Sequence, residues 1–321
     1  MPTDSVINRT GASALIPTQH ANEIIKGLTA PSAALKLMRK VTMSSKNYTM
    51  PVLSALPEAY WVSEGGLKQT TQVEWGSKNL VAEELAVVVP VHENVLADSN
   101  YDIWGEVKPL LIEAFGAKID QAVLFGTGKP ATWTDPAIMA GITAAGNAVA
   151  MGSITDPANA DFAEYVNQAM AYVEEDGYDV DGFAGRRNIR AKLRGLRATT
   201  GEPLFTDIRG SDNTAQASIY GEPLTYVNNG SWDDDAAMLI AGDWSKAIIG
   251  LRQDITFKIF TEGVVSDETG KVILNLMQND SVALRAVMRV AYAVATPITR
   301  ENASNTTRFP FAAITPEAET P

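Results

Sequence analysis

The chain has 321 residues, 45% hydrophobic and 20% charged, ordinary proportions for a globular chain with room for two or three cores. It contains no Cys, which excludes disulfides, thiolate metal sites and a Cys nucleophile. A formal net charge of −12 argues against tight wrapping of nucleic acid by the chain as a whole, and no apolar run reaches the ~18 residues of a membrane span.

Residues 1–20 are polar and aperiodic, which predicts an extended arm, and they lack the basic head and apolar stretch of a signal peptide. Residues 22–40 predict short helical turns broken at Ala30-Pro31. Such an arm has no core of its own and must lie on something else. Residues 46–52 read as a strand. In 59–85, alternating arms at 60–63 and 71–75 flank Gly65-Gly66, a hairpin signal. Polar and aromatic side chains interleave there without a buried face, and an isolated hairpin is marginal in water. It is either a flap folded on its own domain or an arm reaching another subunit. On the second reading Tyr60, Trp61, Lys68 and Trp75 are contact candidates.

Residues 85–90 predict a buried strand. Residues 99–125 are the longest element. Ile103, Val107, Leu110, Leu111, Ala114, Ile119, Ala122 and Val123 form one apolar stripe, capped by Ser99 or Asn100 and closed by Gly126 and Gly128. The run could reach about 40 Å, unless Pro109 kinks or splits it. Residues 132–151 read as loop. A second unit starts near 155. It has an amphipathic helix at 162–175, a short strand at 181–184, a basic helix at 186–197 and strands at 219–227 and 238–243, the mixture of an α/β or α+β domain. Residues 248–264 and 271–279 form a second long hairpin around 266–270. An apolar segment covers 282–296, and 300–321 read as a polar tail without structure.

Credible chemistry is scarce. His20 and His92 lack the second His of a zinc helix. Gly126-Thr127-Gly128-Lys129 has Pro130 where a phosphate loop needs Ser or Thr, and reads as a helix-ending turn. Asp233-Asp234-Asp235 lacks the alternation of a calcium loop. Glu83-Glu84 and Glu174-Glu175-Asp176 read as solvated faces rather than a hydrolase pair. No catalytic, metal or cofactor site emerges. The strong charge cluster is the basic helix, where Arg186, Arg190, Arg194 and Arg197 share a face at helical spacing. Nucleic acid is one partner for it. An acidic neighbouring subunit fits a −12 chain better.

The ordered set of these elements resembles the major capsid proteins of tailed double-stranded-DNA bacteriophages. The resemblance runs from about Leu15 to Arg300. It rests on Asn47-Tyr48-Thr49-Met50-Pro51, on the hairpin from Trp61 through Lys68 to Trp75, on 85–98, and on the long helix ended by Gly126-Thr127-Gly128. Residues 219–224, 242–245, 279–285 and 291–297 complete it.

It implies an α+β fold of the Hong Kong 97 type. The division would be an N-terminal arm (1–26), a peripheral domain (27–58), an extended hairpin loop (59–84), the peripheral domain with its spine helix (85–128) and an axial domain (129–243). A second peripheral hairpin (244–284), an axial return (285–300) and a polar C-terminal tail (301–321) would follow. It further implies pentamers and hexamers of identical subunits tiling an icosahedral shell, assembled in the host bacterial cytoplasm without a membrane. Packaged double-stranded DNA would touch the inner face weakly and non-specifically, with separate scaffold, portal and cement proteins as further partners. The initial Met and short leader favour a separate scaffold.

One branch of the family joins subunits by an isopeptide bond. Lys68 stands at the Lys position. Asn275 and Asn279 lie near the Asn position, but Met277 aligns on it, and 281–288 contain no acid to act as base. A noncovalent shell is therefore expected. A bacterial encapsulin, with the same fold around cargo protein, is the alternative.

Overall fold

The computed structural model describes residues 32–98, 102–154, 161–196, 208–209, 215–266 and 269–317. The expected arm (1–26), His20, the Ser99 and Asn100 caps and Arg197 lie outside these residues.

Two sheets form the body. The first has the order β1(Arg39–Thr42), β11(Ala247–Phe260), β14(Ser281–Val294), β4(Glu83–His92). Along β4, Leu85, Val87 and Val89 turn inward while Glu84, Ala86, Val88 and Pro90 turn outward, the period-2 pattern of a sheet with one covered face. The strand expected to be fully buried is thus half-buried. It runs directly into the short helix α2(Glu93–Asp98). The cover is α3(Ile103–Asp120), continued by one π-turn, Gln121–Phe125, and ended by left-handed Gly126. The helix passes through Pro109 without ending. Its cap is Asp102, whose carboxylate accepts from Gly105 N at 3.0 Å. Its buried apolar side chains are Leu111, Phe115 and Ile119, spaced by four, then Ala122, Val123 and Leu124. Leu110 and Ala114 are exposed, so the apolar stripe is narrower than expected and centred on Phe115.

The second sheet has the order β5(Ala148–Ala150), β15(Phe311–Thr315), β10(Leu239–Gly242), β6(Gly182–Arg186), β9(Glu222–Val227), β8(Ala215–Ile219), β7(Ile208–Arg209). It is mixed: β6 runs parallel to β9 and β15 parallel to β5. One face packs Leu239, Ala312 and Ile314 against α5(Phe162–Glu175) and α6(Ile189–Gly195). The other packs Ile240, Phe311 and Ala313 against α4(Ile138–Ala145) and the end of the spine helix. That second core is continuous with the core under the first sheet. Trp244 sits at the joint, its indole N–H donating to Gly182 O at 3.0 Å and its ring edge-on to Phe311.

Four expectations change. Residues 132–151 contain α4 and β5 rather than loop alone. The stretch expected as a tail supplies β15, whose Phe311, Ala312, Ala313 and Ile314 are wholly buried. β14 stays in the first sheet through Val294 rather than returning to the second unit at 285, because its register with β11 runs unbroken from Val287 to Ala283 and again from Val294 to Val290. The second long hairpin is β11–β14, and the turn around 266–270 belongs to a small ribbon at its tip, β12(Val264–Ser266) with β13(Val272–Asn275).

The first hairpin exists, but its paired strands are β2(Asn47–Ala55) and β3(Glu74–Val81), with Asn47 opposite Val81 and Leu53 opposite Trp75. Residues 56–73 carry no strand.

Candidate assembly surfaces

The ribbon β2–β3 is packed at its base and strapped again near its far end. At its base Leu80, Met43 and Ala82 pack on Ile248, Ala291 and Ala293 of the first sheet. Lys78 reaches the buried Asp135 at 2.7 Å, and the other Asp135 oxygen accepts from Val294 N at 3.0 Å. Trp133 donates to Val81 O. One carboxylate thus ties ribbon, spine-helix exit and β14 together. Lys129 Nζ is spent on the carbonyls of Trp133 and Asp135, which makes 126–137 a structural turn, as the sequence predicted. A second strap comes from Ile298 N to Leu53 O and Arg300 to Pro57 O.

Beyond these straps the loop 56–73 has no core. Trp61 is completely exposed and Leu67 is 94% exposed. Tyr60, Lys68 and Trp75 are also exposed, and Tyr60 O–H donates to Glu58 at 2.9 Å, which with the nearby negative charge raises its pKa. Exposed aromatic side chains gathered on one loop form an apolar patch of the kind found at interaction surfaces. A second exposed apolar cluster, Val264, Val272, Ile273 and Met277, caps the β12–β13 tip.

The base of the arm is fixed by a residue that sequence reading missed. Asp120 is completely buried near the end of the spine helix. Its carboxylate accepts from Ser32 Oγ at 2.6 Å, Ala33 N at 3.0 Å, Ala34 N at 2.9 Å and Asn229 Nδ2 at 2.6 Å. Ser32 in turn caps α1(Ala33–Leu37) by accepting from Leu35 N. Gly116, one turn earlier, leaves room for Ser32, whose backbone N would lie 3.1 Å from a Cβ there. The signal was visible: an acid inside the apolar run 119–124.

The basic segment is not one helical face. Arg186 ends β6 and pairs with Asp234, while α6 starts at Ile189. Arg190 lies over the Tyr226 ring at 5.7 Å, and Arg194 Nε donates to Arg190 O at 3.2 Å. The strand end absorbs Arg186 because its Gly185 and Ala184 pair in register with β10.

Comparison with known proteins fits this layout. Residues 12–298 match the phage capsid family. The chain belongs to the phage capsid family. Within it, the major capsid protein of Staphylococcus phage 80alpha is 28% identical over 295 residues, covering 91% of this chain and 85% of that protein. A solved structure from Microbacterium phage Oxtober96 is 46% identical with a TM-score of 0.84, covering 98% of this chain and 100% of the other. One from Mycobacterium phage Adephagia is 31% identical with a TM-score of 0.85, covering 99% and 100%. The α+β capsid fold implied by the resemblance is therefore the fold observed.

Proposed function

We propose that this capsid-family chain is the major structural subunit of a tailed-phage virion. It self-assembles through pentamers and hexamers into an icosahedral shell around double-stranded DNA, in the host bacterial cytoplasm. Its role is structural rather than catalytic. The supporting observation is the ribbon tip: Trp61 and Leu67 stand in solvent on a loop with no core. Burying them against a neighbour removes apolar surface from water and needs no cofactor. In this reading the first sheet and spine helix form the peripheral domain and the second sheet the axial domain. Scaffold, portal and cement proteins are separate chains.

The shell is held noncovalently. Lys68 sits on the exposed loop, while Met277 and the Asn275–Asn279 turn, closed by Asn275 N to Asn279 Oδ1, occupy the other projecting tip. The stretch 281–288, where the resemblance would place the assisting acid, contains none. The relatives come from phages, which favours the viral shell over an encapsulin. Negative-stain imaging of purified protein tests the proposal: uniform closed particles are expected, with nuclease-protected DNA in particles from infected cells. A compact monomer at high concentration would overturn it.

A further inference from the structure

Around α6 the chain gathers charge for which the shell reading has so far given no use. Arg190, Arg187 and Arg194 all act on the Tyr226 phenol, drawing its pKa down against the stronger upward push of burial. Arg190 lies over the Tyr226 ring at 5.7 Å, its backbone N–H donates to Arg187 O at 3.2 Å, and its own carbonyl accepts from Arg194 Nε at 3.2 Å, which gathers the three beside β9. The Tyr226 hydroxyl there is buried and has no hydrogen-bond partner. Arg187 is exposed and has no ion pair among the described residues. Guanidiniums gathered within two turns of chain are donors suited to an oxyanion, and the enclosed Tyr226 hydroxyl leaves that role to them.

The same chain carries the matching anions. Glu174, Glu175, Asp179 and Glu301 are exposed, and none has an ion pair among the described residues. They surround the end of α5, which has no basic residue in its last turn, so helix carbonyls deepen the negative potential. Glu301 lies against Gly177, with Oε2 2.6 Å from where a Cβ would stand. The two patches flank opposite ends of β6: Asp181 precedes its first residue and Arg186 is its last, separated by roughly 17 Å of strand.

We infer that the guanidiniums of Arg187, Arg190 and Arg194 form a site for side-chain carboxylates of the α5 end of a second copy of this chain. This rests on the shell reading. A contact between two different patches is head-to-tail, the type that closes rings. Nucleic-acid phosphate is the competing oxyanion. A neighbouring subunit holds its carboxylates at high local concentration, whereas a −12 chain repels an approaching duplex.

Charge exchange tests the contact. Arg187→Glu with Arg194→Glu, and separately Glu174→Arg with Glu175→Arg, should each raise the protein concentration needed for particles by about tenfold or more at low salt. All four substitutions together should restore assembly. Arg190 is left in place because it packs on Tyr226. Circular dichroism of unassembled protein checks the fold. If reversal disturbs it, Arg187→Gln with Arg194→Gln carries the test, with a threshold raised severalfold. The inference is overturned if the four-fold exchange assembles no better than either pair. It is equally overturned if the arginine reversal assembles like wild type and only the DNA content of the particles falls. A wild-type chain that forms no particles sinks the shell reading and this contact with it, whereas intact wild-type shells with unrescued reversals sink this contact alone.

Discussion

Replacing Asp120 by Asn is a near-isosteric change at the point where the arm base meets the spine helix. The carboxylate oxygens face four donors, two on each side: Ser32 Oγ and Ala34 N on Oδ1, Ala33 N and Asn229 Nδ2 on Oδ2. An Asn has one acceptor oxygen, so its amide group must face one of these pairs. The Ser32 hydroxyl can turn to accept, and the Asn229 amide can flip, but Ala33 N and Ala34 N cannot. At least one buried backbone N–H is therefore left facing a donor, and a charge-assisted bond becomes a neutral one on the other side. Together these cost about 2–4 kcal/mol. In a chain of this size that corresponds to roughly 3–6 °C in the unfolding midpoint. The assay is thermal unfolding of unassembled protein, followed by circular dichroism at neutral pH.

The same residue fixes a pH dependence. Burial holds the Asp120 carboxyl above its ordinary value of 3.8, with the hydrogen bonds from Ser32, Ala34, Asn229 and Ala33 pulling it back. The folded state thus keeps this proton more tightly than the unfolded chain. Its contribution is full below 3.8 and is lost as pH rises through the raised folded value. The stability of wild type minus that of Asp120→Asn should therefore shrink as pH rises across that window. A midpoint unchanged by the substitution, or a difference that grows with pH there, refutes the reasoning.

Trp61→Ser with Leu67→Ser removes side chains that touch nothing in their own subunit. Unfolding of unassembled protein should shift by less than about 0.5 kcal/mol while particle formation is lost, since each Trp buried in a contact is worth up to about 5 kcal/mol. Particle yield against midpoint separates the two effects. Lys78→Met leaves the Asp135 carboxylate facing Val294 N without its cation, and should cost about 2–4 kcal/mol in a denaturant titration. Gly242→Ala places a Cβ 2.2 Å from Phe311 Cδ1 and 2.5 Å from Pro310 O, where backbone cannot yield, and should lower the midpoint through about 1–3 kcal/mol of overpacking. Purified particles boiled in detergent should run as a single band near 34.4 kDa, and a ladder of multiples would sink the noncovalent reading.

The elements with a strong period are legible in the order of the amino acids alone. Apolar spacing places the spine helix, the helix at 162–175 and the alternating strand at 255–260, and Gly126 marks the helix end that a left-handed residue does close. The ribbon is legible as a hairpin from its glycines, because turn chemistry is local. Its paired strands lie further from the tip than the pattern suggests, since alternation at 60–63 looks the same whether or not a partner strand lies alongside. The segment after 300 reads as a polar tail from its two ends, yet the apolar run between them, 309–314, supplies most of an inner strand of a sheet. Two strands from distant parts of the chain make that site apolar, and no local pattern announces them.

Sequence by itself determined which segments could be helix or strand and that the chain lacks thiol chemistry. Only the tertiary structure decided which polar residues are spent inside. Asp176 reads as part of a solvated face, and no motif singles out Asp120 or Asp135, but each of the three is buried and accepts hydrogen bonds from groups far away in sequence. A carboxylate's value depends on which donors folding brings to it, and chain separations of 86–88 residues, as between Asp120 and the arm base, carry no trace in local pattern.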